Sequence, residues 1–273
     1  MSAQYASNTI TPQKQTIMSL QALKQAGEKI SCLTAYDATF AGLIQRAGID
    51  VILVGDSLGM VVQGHDSTLR VTLDEMLYHT ELVRRGAAER FIIADLTFMS
   101  DATPLLAAEN AARLIQQGGA RMVKLEGAKT ETIAYMVDQG IPVCGHLGLL
   151  PQRIYQQGEY RVQGKSEQAA EQIISDALAL EQAGIQLLIL ECVPAQLAAN
   201  ISQQLTIPVI GIGAGNECDG QVLVSYDMLG LSLTPPPRFT KNYMQQSASI
   251  FDALLAYHDD VKNGCFPTLA ESF

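Results

Sequence analysis

The chain has 273 residues, of which 48% are hydrophobic and 17% are charged, and its formal net charge is −10 at pH 7. This composition is sufficient for a large core and too apolar for a disordered chain. The acidic charge argues against a general binder of nucleic acids or membrane surfaces, because both are polyanionic. The five cysteines include no CxxC pair, which favours a reduced, cytoplasmic protein over a disulfide framework or a cysteine-based zinc site.

The N-terminal region carries few structural signals. Residues 1–10 are polar and lack a basic start and an apolar block, so they predict a loose tail and not a signal peptide. Thr11-Pro12 is a typical helix start, with a hydroxyl at the N-cap and proline at the first helical position, and it predicts a short helix to about Ala26. Because no linker divides the rest, residues 11–273 are expected to form a single domain.

Strand and helix patterns alternate through the chain. Apolar runs of strand length are each followed by a segment with a helix start and a glycine or basic end; Thr72 and Glu75, for example, have the spacing of a capping box. The predicted strands are Lys29–Ala35, Val51–Gly55, Phe91–Ala94, Arg121–Leu125, Ile141–Gly145, Leu187–Leu190, Pro208–Ile212 and a weak eighth at Met228–Leu231. The longest predicted loop is Gly148–Lys165, and Thr240–Lys262 has helical spacing of apolar residues.

This alternation predicts a parallel sheet with right-handed crossovers. Eight strands favour a closed (β/α)8 TIM barrel with an N-terminal capping helix and a C-terminal helical extension, and an open doubly wound sheet is the alternative.

Ionisable residues that could take part in catalysis or ligand binding follow the ends of five predicted strands. They are Asp56, Asp95, Glu126, His146 and Glu191. In a parallel barrel the carboxyl ends of all strands meet on one face, which carries the active site. We therefore expect these side chains to converge although they lie far apart in the sequence.

Several carboxylates in one place repel one another, and a hard divalent cation removes this penalty. Asp56, Asp95 and Glu126 are candidate Mg²⁺ ligands, either directly or through water. Ser57 can hydrogen-bond a ligand oxygen, and Lys124 can hold a substrate carboxylate. Glu191 follows a wholly apolar strand, which should raise its pKa and suit it to act as a general base.

Each of these residues also has a structural interpretation. A single acid at a strand end is more often a helix N-cap or an ion-pair partner, and His146 alone would usually be a core histidine. Lys124 alone would usually form an ion pair with Glu126. Likewise, the glycine-rich run from Gly211 to Gly215 is compatible with a phosphate or flavin site, but no basic residue follows it closely, which favours a tight turn.

Several ordered runs of this sequence closely resemble the ketopantoate hydroxymethyltransferase family over roughly residues 12 to 265. The matching runs are Thr34-Ala35-Tyr36-Asp37, Val54-Gly55-Asp56-Ser57-Leu58-Gly59-Met60, Gln63-Gly64-His65-Asp66-Ser67-Thr68, Val123-Lys124-Leu125-Glu126-Gly127, Pro142-Val143-Cys144-Gly145-His146-Leu147-Gly148-Leu149 and Gly211-Ile212-Gly213-Ala214-Gly215.

The resemblance implies a cytoplasmic TIM-barrel enzyme that is a multimer, commonly a decamer. It implies transfer of a hydroxymethyl group from 5,10-methylenetetrahydrofolate to 3-methyl-2-oxobutanoate, on the way to pantothenate. By position, it implies that Asp56 and Asp95 bind Mg²⁺ with Glu126 associated, and that the ketoacid contacts Asp56, Ser57, Asp95 and Lys124. Glu191 is then the proton acceptor. His146 is a candidate neighbour that tunes either Glu191 or the leaving nitrogen of the folate.

The sequence departs from the family pattern at a few positions. Thr97 stands where proline is usual, Asp101 where tyrosine is common, and the loop Gly158-Glu159-Tyr160-Arg161 differs around its tyrosine. These changes leave the expected metal ligands intact, but they bear on the pocket wall and the folate contacts. Three other hypotheses remain: a metal-dependent carbon–carbon lyase or mutase, a Schiff-base role for Lys124, and a barrel retained for binding without catalysis.

Overall fold

The computed structural model describes residues 14–158, 161–233 and 235–273. The predicted tail of residues 1–10 and the predicted helix start at Thr11-Pro12 lie outside the described residues, as do two residues of the loop at 158–161. The division into a tail and one domain therefore stays a prediction.

Eight parallel strands close into a barrel, each hydrogen-bonded to the strand before it and β8 to β1, so the predicted TIM barrel is confirmed. The strands are β1 Ile30–Thr34, β2 Val51–Val54, β3 Phe91–Asp95, β4 Met122–Glu126, β5 Val143–Gly148, β6 Leu187–Glu191, β7 Val209–Ile212 and β8 Gly220–Leu223. Nearly all of their residues are buried, because helices cover the outer face and side chains fill the interior.

The helices surround the barrel. They are α1 Ile17–Ala26, α2 Ala38–Arg46, α3 Leu58–Val61, α4 Leu73–Gly86, α5 Pro104–Gln116, α6 Thr130–Asp138, α7 Ile154–Gln157, α8 Glu167–Gln182, α9 Ala195–Gln204, α10 Ser225–Met228 and α11 Ile250–Lys262. Three short 3₁₀ helices lie at Thr68–Arg70, Pro151–Arg153 and Tyr243–Gln246. None of the helices within the described ranges has the length and apolar character needed to cross a bilayer.

The predicted eighth strand was placed wrongly. The segment Met228–Leu231 belongs to the end of α10 and the turn after it, and β8 lies earlier, at Gly220–Leu223. Backbone pairing with β1 and β7 defines β8, so a glycine and a polar residue, Gln221, can occupy it without a hydrophobic pattern. A side chain at Gly220 would place its Cβ 2.4 Å from the carbonyl oxygen of Ile30, so glycine is needed for the close approach of β1.

Both terminal helical segments are shorter than predicted. Within the described residues the first helix begins after Thr16, whose side chain forms a reciprocal capping box with Ser19, and residues 14–16 before it are not helical. The C-terminal segment is split into the 3₁₀ helix at Tyr243–Gln246 and α11, which begins after the N-cap Ser249. The capping box predicted for Thr72 and Glu75 is present at the start of α4.

The terminal helices are fixed to the amino-terminal half of the barrel. Lys24 of α1 forms a 2.6 Å ion pair with Asp219, just before β8. From α11, the Tyr257 hydroxyl lies 2.9 Å from the backbone oxygens of Cys32 and Gln221. These contacts leave the opposite, carboxyl end of the barrel open to ligands.

Candidate active site

The seven candidate residues named from the sequence line one cavity at the carboxyl end of the barrel, with a volume of about 900 Å³. They are Asp56, Ser57, Asp95, Lys124, Glu126, His146 and Glu191. Four carboxylates, a lysine and a histidine thus converge, as the strand-end pattern predicted.

The turn after β2 places Asp56 and Ser57 next to Asp95. The backbone N–H of Asp56 donates to Asp95 Oδ2 at 3.1 Å. A Cβ at Gly55 would lie 2.9 Å from Ser57 Oγ and 3.6 Å from Asp95 Oδ2. Glycine at position 55 therefore allows the two adjacent strand ends to approach closely, and this approach brings the acids together.

Lys124 is buried among the acids and pairs with the neighbouring strand. Its Nζ lies 3.2 Å from Asp95 Oδ1, the residue opposite it in the β3–β4 register. The ion pair is thus made with Asp95 and not with Glu126, two residues further along the same strand. Burial alone would lower the pKa of Lys124, but Asp95, Glu126 and Asp56 outweigh it and raise the pKa above its usual value, so the side chain is an ammonium ion.

The carboxylates of this site are buried and incompletely paired. Burial raises the pKa of Glu126 well above its usual value, although Lys124 opposes the rise. Burial and the charge of Asp95 raise the pKa of Asp56 to about 7. Among the described residues, no group donates a hydrogen bond to Glu126 Oε1 or to Asp95 Oδ1, whose contact with Lys124 lies outside hydrogen-bond geometry. Buried carboxylate oxygens without donors fit a site that is completed by a cation.

The donor set fits Mg²⁺ better than a metal held by protein alone. Among the described residues, no three His, Cys, Asp or Glu side chains are already arranged to hold an ion. Mg²⁺ typically uses one or two protein carboxylates and completes its shell with water and substrate oxygens. The acids Asp56, Asp95 and Glu126 are therefore suitable ligands or water-mediated contacts.

Glu191 and His146 form the other side of the acid cluster. Burial raises the pKa of Glu191 to about 7 against the opposing effect of Lys124, which is the direction predicted from its apolar strand. The side chain is 16% exposed, on the wall of the cavity, so it can reach a ligand. His146 Nε2 lies 3.2 Å from Glu191 Oε2, but burial and Lys124 lower the pKa of His146, so the ring is neutral and the contact is not a salt bridge.

Two residues of the site were not identified from the sequence. Gln152 donates from Nε2 to Asp56 Oδ2 at 2.8 Å, and its backbone N–H donates to Glu126 Oε2 at 3.1 Å. It lies in the 3₁₀ helix that interrupts the predicted long loop, where only the preceding proline signals local order. The Tyr36 hydroxyl, from the segment after β1, lies 2.9 Å from Ser57 Oγ and holds that hydroxyl in place.

The glycine-rich run after β7 is a tightly packed turn. Gly213 has a positive φ of 60°, and a Cβ there would lie 2.9 Å from the ring of Phe239. A Cβ at Gly211 would lie 3.0 Å from Cys218 Sγ and one at Gly215 would lie 2.5 Å from Ala195 Cβ, so close packing accounts for the run, in agreement with the tight-turn interpretation.

The unusual residues after β3 lie away from the main cavity wall. Asp101 is buried and forms a 2.6 Å ion pair with Lys129 beside a smaller cavity. The extra negative charge is therefore compensated locally. Thr97 is also buried, and its backbone oxygen accepts from Ser100.

The fold and the site are those of a TIM-barrel enzyme. The barrel is closed and parallel, and buried acids, a lysine and a neutral histidine converge at its carboxyl end. Two solved structures share the fold. A phosphonopyruvate hydrolase in complex with oxalate and Mg²⁺ aligns with a TM-score of 0.59 at 11% identity, covering 77% of this chain and 80% of that one. A phosphoenolpyruvate phosphomutase from Streptomyces platensis aligns with a TM-score of 0.58 at 15% identity, covering 79% and 82%.

Sequence comparison is more specific. Residues 14–269 match the ketopantoate hydroxymethyltransferase family, and the chain belongs to it. The chain is 53% identical over 260 residues to the 3-methyl-2-oxobutanoate hydroxymethyltransferase of Nitrosococcus oceani, covering 94% of this chain and 98% of that protein. It is 54% identical over 262 residues to the enzyme of the same name from Idiomarina loihiensis, covering 95% and 98%. The chain is therefore an enzyme of the transferase class.

Proposed function

We propose that this enzyme transfers a hydroxymethyl group from 5,10-methylenetetrahydrofolate to 3-methyl-2-oxobutanoate, giving 2-dehydropantoate for pantothenate synthesis. The observation that carries the proposal is the cavity in which Lys124 and Glu191 flank incompletely paired carboxylates, in a chain that is about half identical to relatives of that name.

The site suits a small ketoacid. The ammonium of Lys124 provides a charged hydrogen-bond donor for the substrate carboxylate. Ser57, fixed by Tyr36, can donate to a ketoacid oxygen. Mg²⁺ held by Asp56 and Asp95, with Glu126 beside it, would offset the negative charge that develops on the ketoacid oxygens during the reaction.

Glu191 is the proposed general base. Its carboxylate takes the proton from the carbon next to the carbonyl group, and the electron pair of that C–H bond then forms the new bond to the one-carbon unit of the folate. Water supplies the oxygen of the hydroxymethyl group, both C–N bonds between the one-carbon unit and the folate break, and the two folate nitrogens take up the two protons of water, so that tetrahydrofolate leaves. The alkoxide of the product takes back the proton held by Glu191. A carboxyl group with a pKa of about 7 is well matched to proton transfer near neutral pH.

An assay of 2-dehydropantoate formation with and without 5,10-methylenetetrahydrofolate tests this proposal. We expect product only when the ketoacid, Mg²⁺ and the folate are all present. Folate-independent cleavage of a ketoacid or of a related acid would instead indicate a lyase of the same fold. Absence of any turnover, with ketoacid binding retained, would favour a binding protein.

The role of Lys124 is proposed to be electrostatic. Its raised pKa leaves almost no free amine to attack a carbonyl group. Treatment with borohydride in the presence of ketoacid should therefore leave the mass of the protein unchanged, and a stable adduct at Lys124 would contradict this role.

The multimeric state is part of the proposal. We propose a homodecamer in line with the family resemblance, and native mass spectrometry at micromolar concentration measures it directly. A monomer under these conditions would contradict it.

A further inference from the structure

The cavity at the carboxyl end of the barrel is much larger than a small ketoacid needs. Cavities of about 300–1,000 Å³ hold ligands of drug size, and this one has a volume of about 900 Å³. The acid cluster occupies the side formed by β2 to β6. The opposite side is formed by residues from β8 onwards, among them Val222, Val224, Asp227, Leu231, Phe239 and Phe273.

Asp227 is the carboxylate of this second side. It lies on α10, immediately after β8, and is half-buried. Ser232 donates to its Oδ1, and within the part of the chain that the structure describes no cation forms an ion pair with it. Its neighbours in the cavity wall are mostly apolar, and burial raises its pKa. A carboxylate in such surroundings is best satisfied by N–H donors of a ligand.

The exposed rim of the cavity carries two arginines, one from the segment between β5 and α8 and one from the segment after β8. Arg161 and Arg238 both line the cavity and are exposed. The Arg238 guanidinium lies 5.4 Å from the centre of the Phe273 ring and donates from Nε to the backbone oxygen of Ala270 at 3.1 Å, so it is held at this position. This part of the cavity therefore has Asp227 and apolar side chains in its interior and the cations of Arg161 and Arg238 at its exposed rim.

This order fits a ligand with a flat ring carrying N–H donors at one end and carboxylates at the other. We propose that the region around Asp227 binds the heterocyclic ring of the one-carbon donor. The amino group on this ring and the adjacent ring N–H can both donate to Asp227. The glutamate carboxylates of the donor are then directed towards Arg161 and Arg238. The inference rests on the proposed function and names the residue that recognises its co-substrate. It assigns Asp227 to binding and not to proton transfer.

The test is the affinity for tetrahydrofolate, measured by isothermal titration calorimetry with the full chain in the presence of Mg²⁺. The Asp227→Asn substitution keeps the size of the side chain but replaces one acceptor oxygen with an NH₂ group, which cannot accept a hydrogen bond from the ligand. Because a hydrogen bond to a charged group contributes about 1.5–3 kcal/mol, we expect the Kd to rise about 10- to 100-fold. Asp66→Asn is the matched control, because Asp66 is an exposed acid on another part of the same cavity wall. Its Kd should stay within about twofold of the wild type.

A second measurement separates this inference from the proposed function. Exchange of the proton next to the ketoacid carbonyl group, followed by NMR in D₂O with Mg²⁺, is a partial reaction that does not use the folate, so Asp227→Asn should retain it. If the wild type forms no 2-dehydropantoate, the proposed function fails. If the wild type forms it but Asp227→Asn has an unchanged KM for the folate, only this inference fails. An equal loss of affinity in Asp66→Asn, or loss of proton exchange in Asp227→Asn, would also overturn the assignment.

Discussion

His146 Nε2 lies 3.2 Å from Glu191 Oε2, across the carboxyl ends of β5 and β6. The other ring nitrogen, Nδ1, lies 3.4 Å from Lys124 Nζ. Because a lysine ammonium can only donate, Nδ1 is the acceptor, and in a neutral ring the hydrogen then resides on Nε2. This assignment places the N–H group on the side of Glu191, although their 3.2 Å contact lies outside hydrogen-bond geometry among the described residues. His146 therefore lies between the residue proposed to bind the ketoacid carboxylate and the proposed base.

Replacing the proposed base should stop catalysis and leave binding largely intact. In Glu191→Gln we expect kcat to fall about 10²- to 10⁴-fold, because general-base catalysis contributes factors of this size. Steady-state kinetics measures the loss, and calorimetry with the ketoacid and Mg²⁺ measures binding. Glu217→Gln, which changes an exposed acid elsewhere in the chain, is the control and should behave as the wild type. Normal turnover in Glu191→Gln would disprove the base assignment.

Lys124→Gln should weaken ketoacid binding. The variant removes the buried ammonium, so we expect the Kd for the ketoacid to rise about 10- to 100-fold, as for a lost charged hydrogen bond. Lys129→Gln provides a control, because Lys129 pairs with Asp101 beside the smaller cavity. Calorimetry at saturating Mg²⁺ measures both variants. The role is refuted if the two variants have the same ketoacid affinity.

Mg²⁺ should stabilise the folded protein and restore activity after chelation. Ligand binding raises stability by RT ln(1 + [L]/Kd), which is about 2.7 kcal/mol at 100 times the Kd. We expect EDTA to abolish turnover, and added Mg²⁺ to raise the Tm of the wild type but not that of Asp95→Asn. Asp74→Asn, which changes an acid whose side chain is 80% exposed on α4, should keep the Mg²⁺ effect. A Tm that does not respond to Mg²⁺ in the wild type would exclude this site.

Glu191 should contribute to the metal-free protein a stability that is lost as the pH rises from about 4.5 to about 7. The pKa of Glu191 is about 7 in the folded chain and 4.5 in its unperturbed state, so the folded protein holds this proton more tightly than the unfolded chain. The stabilisation is complete below the lower value and is lost through this window, with a slope of up to about 1.4 kcal/mol per pH unit. Urea unfolding at a series of pH values measures it. Glu191→Gln should show a flatter profile, and an identical profile would contradict the pKa shift.

Tyr257→Phe should destabilise the attachment of α11 to the barrel. The hydroxyl lies 2.9 Å from the backbone oxygens of both Cys32 and Gln221, and its removal leaves buried acceptors without this donor. We expect the free energy of unfolding to fall by about 1–3 kcal/mol. Tyr155→Phe, at a residue that is 82% exposed, should change it little. Equal stability of the two variants would show that the hydroxyl contributes nothing.

The sequence by itself determined the barrel and the acids at its carboxyl end. Apolar runs such as Val51–Val54 end directly in a polar residue, and parallel strands bring such ends to one face whatever their separation in the chain. That rule predicted the convergence of Asp56, Asp95, Glu126, His146 and Glu191. It did not locate β8, because the segment Gly220–Leu223 has little hydrophobic pattern and is a strand only through its backbone pairing with β1 and β7.

Only the tertiary structure decided the partners within the site. Lys124 pairs with Asp95 because the register of β3 and β4 places them opposite each other, and Gln152 reaches Asp56 from a loop that follows a different strand. Asp227 lies beside the cavity for the same kind of reason, since α10 follows the strand that closes the barrel. Local sequence encodes the direction and burial of a side chain, whereas contacts between distant segments depend on register and packing that no local pattern specifies.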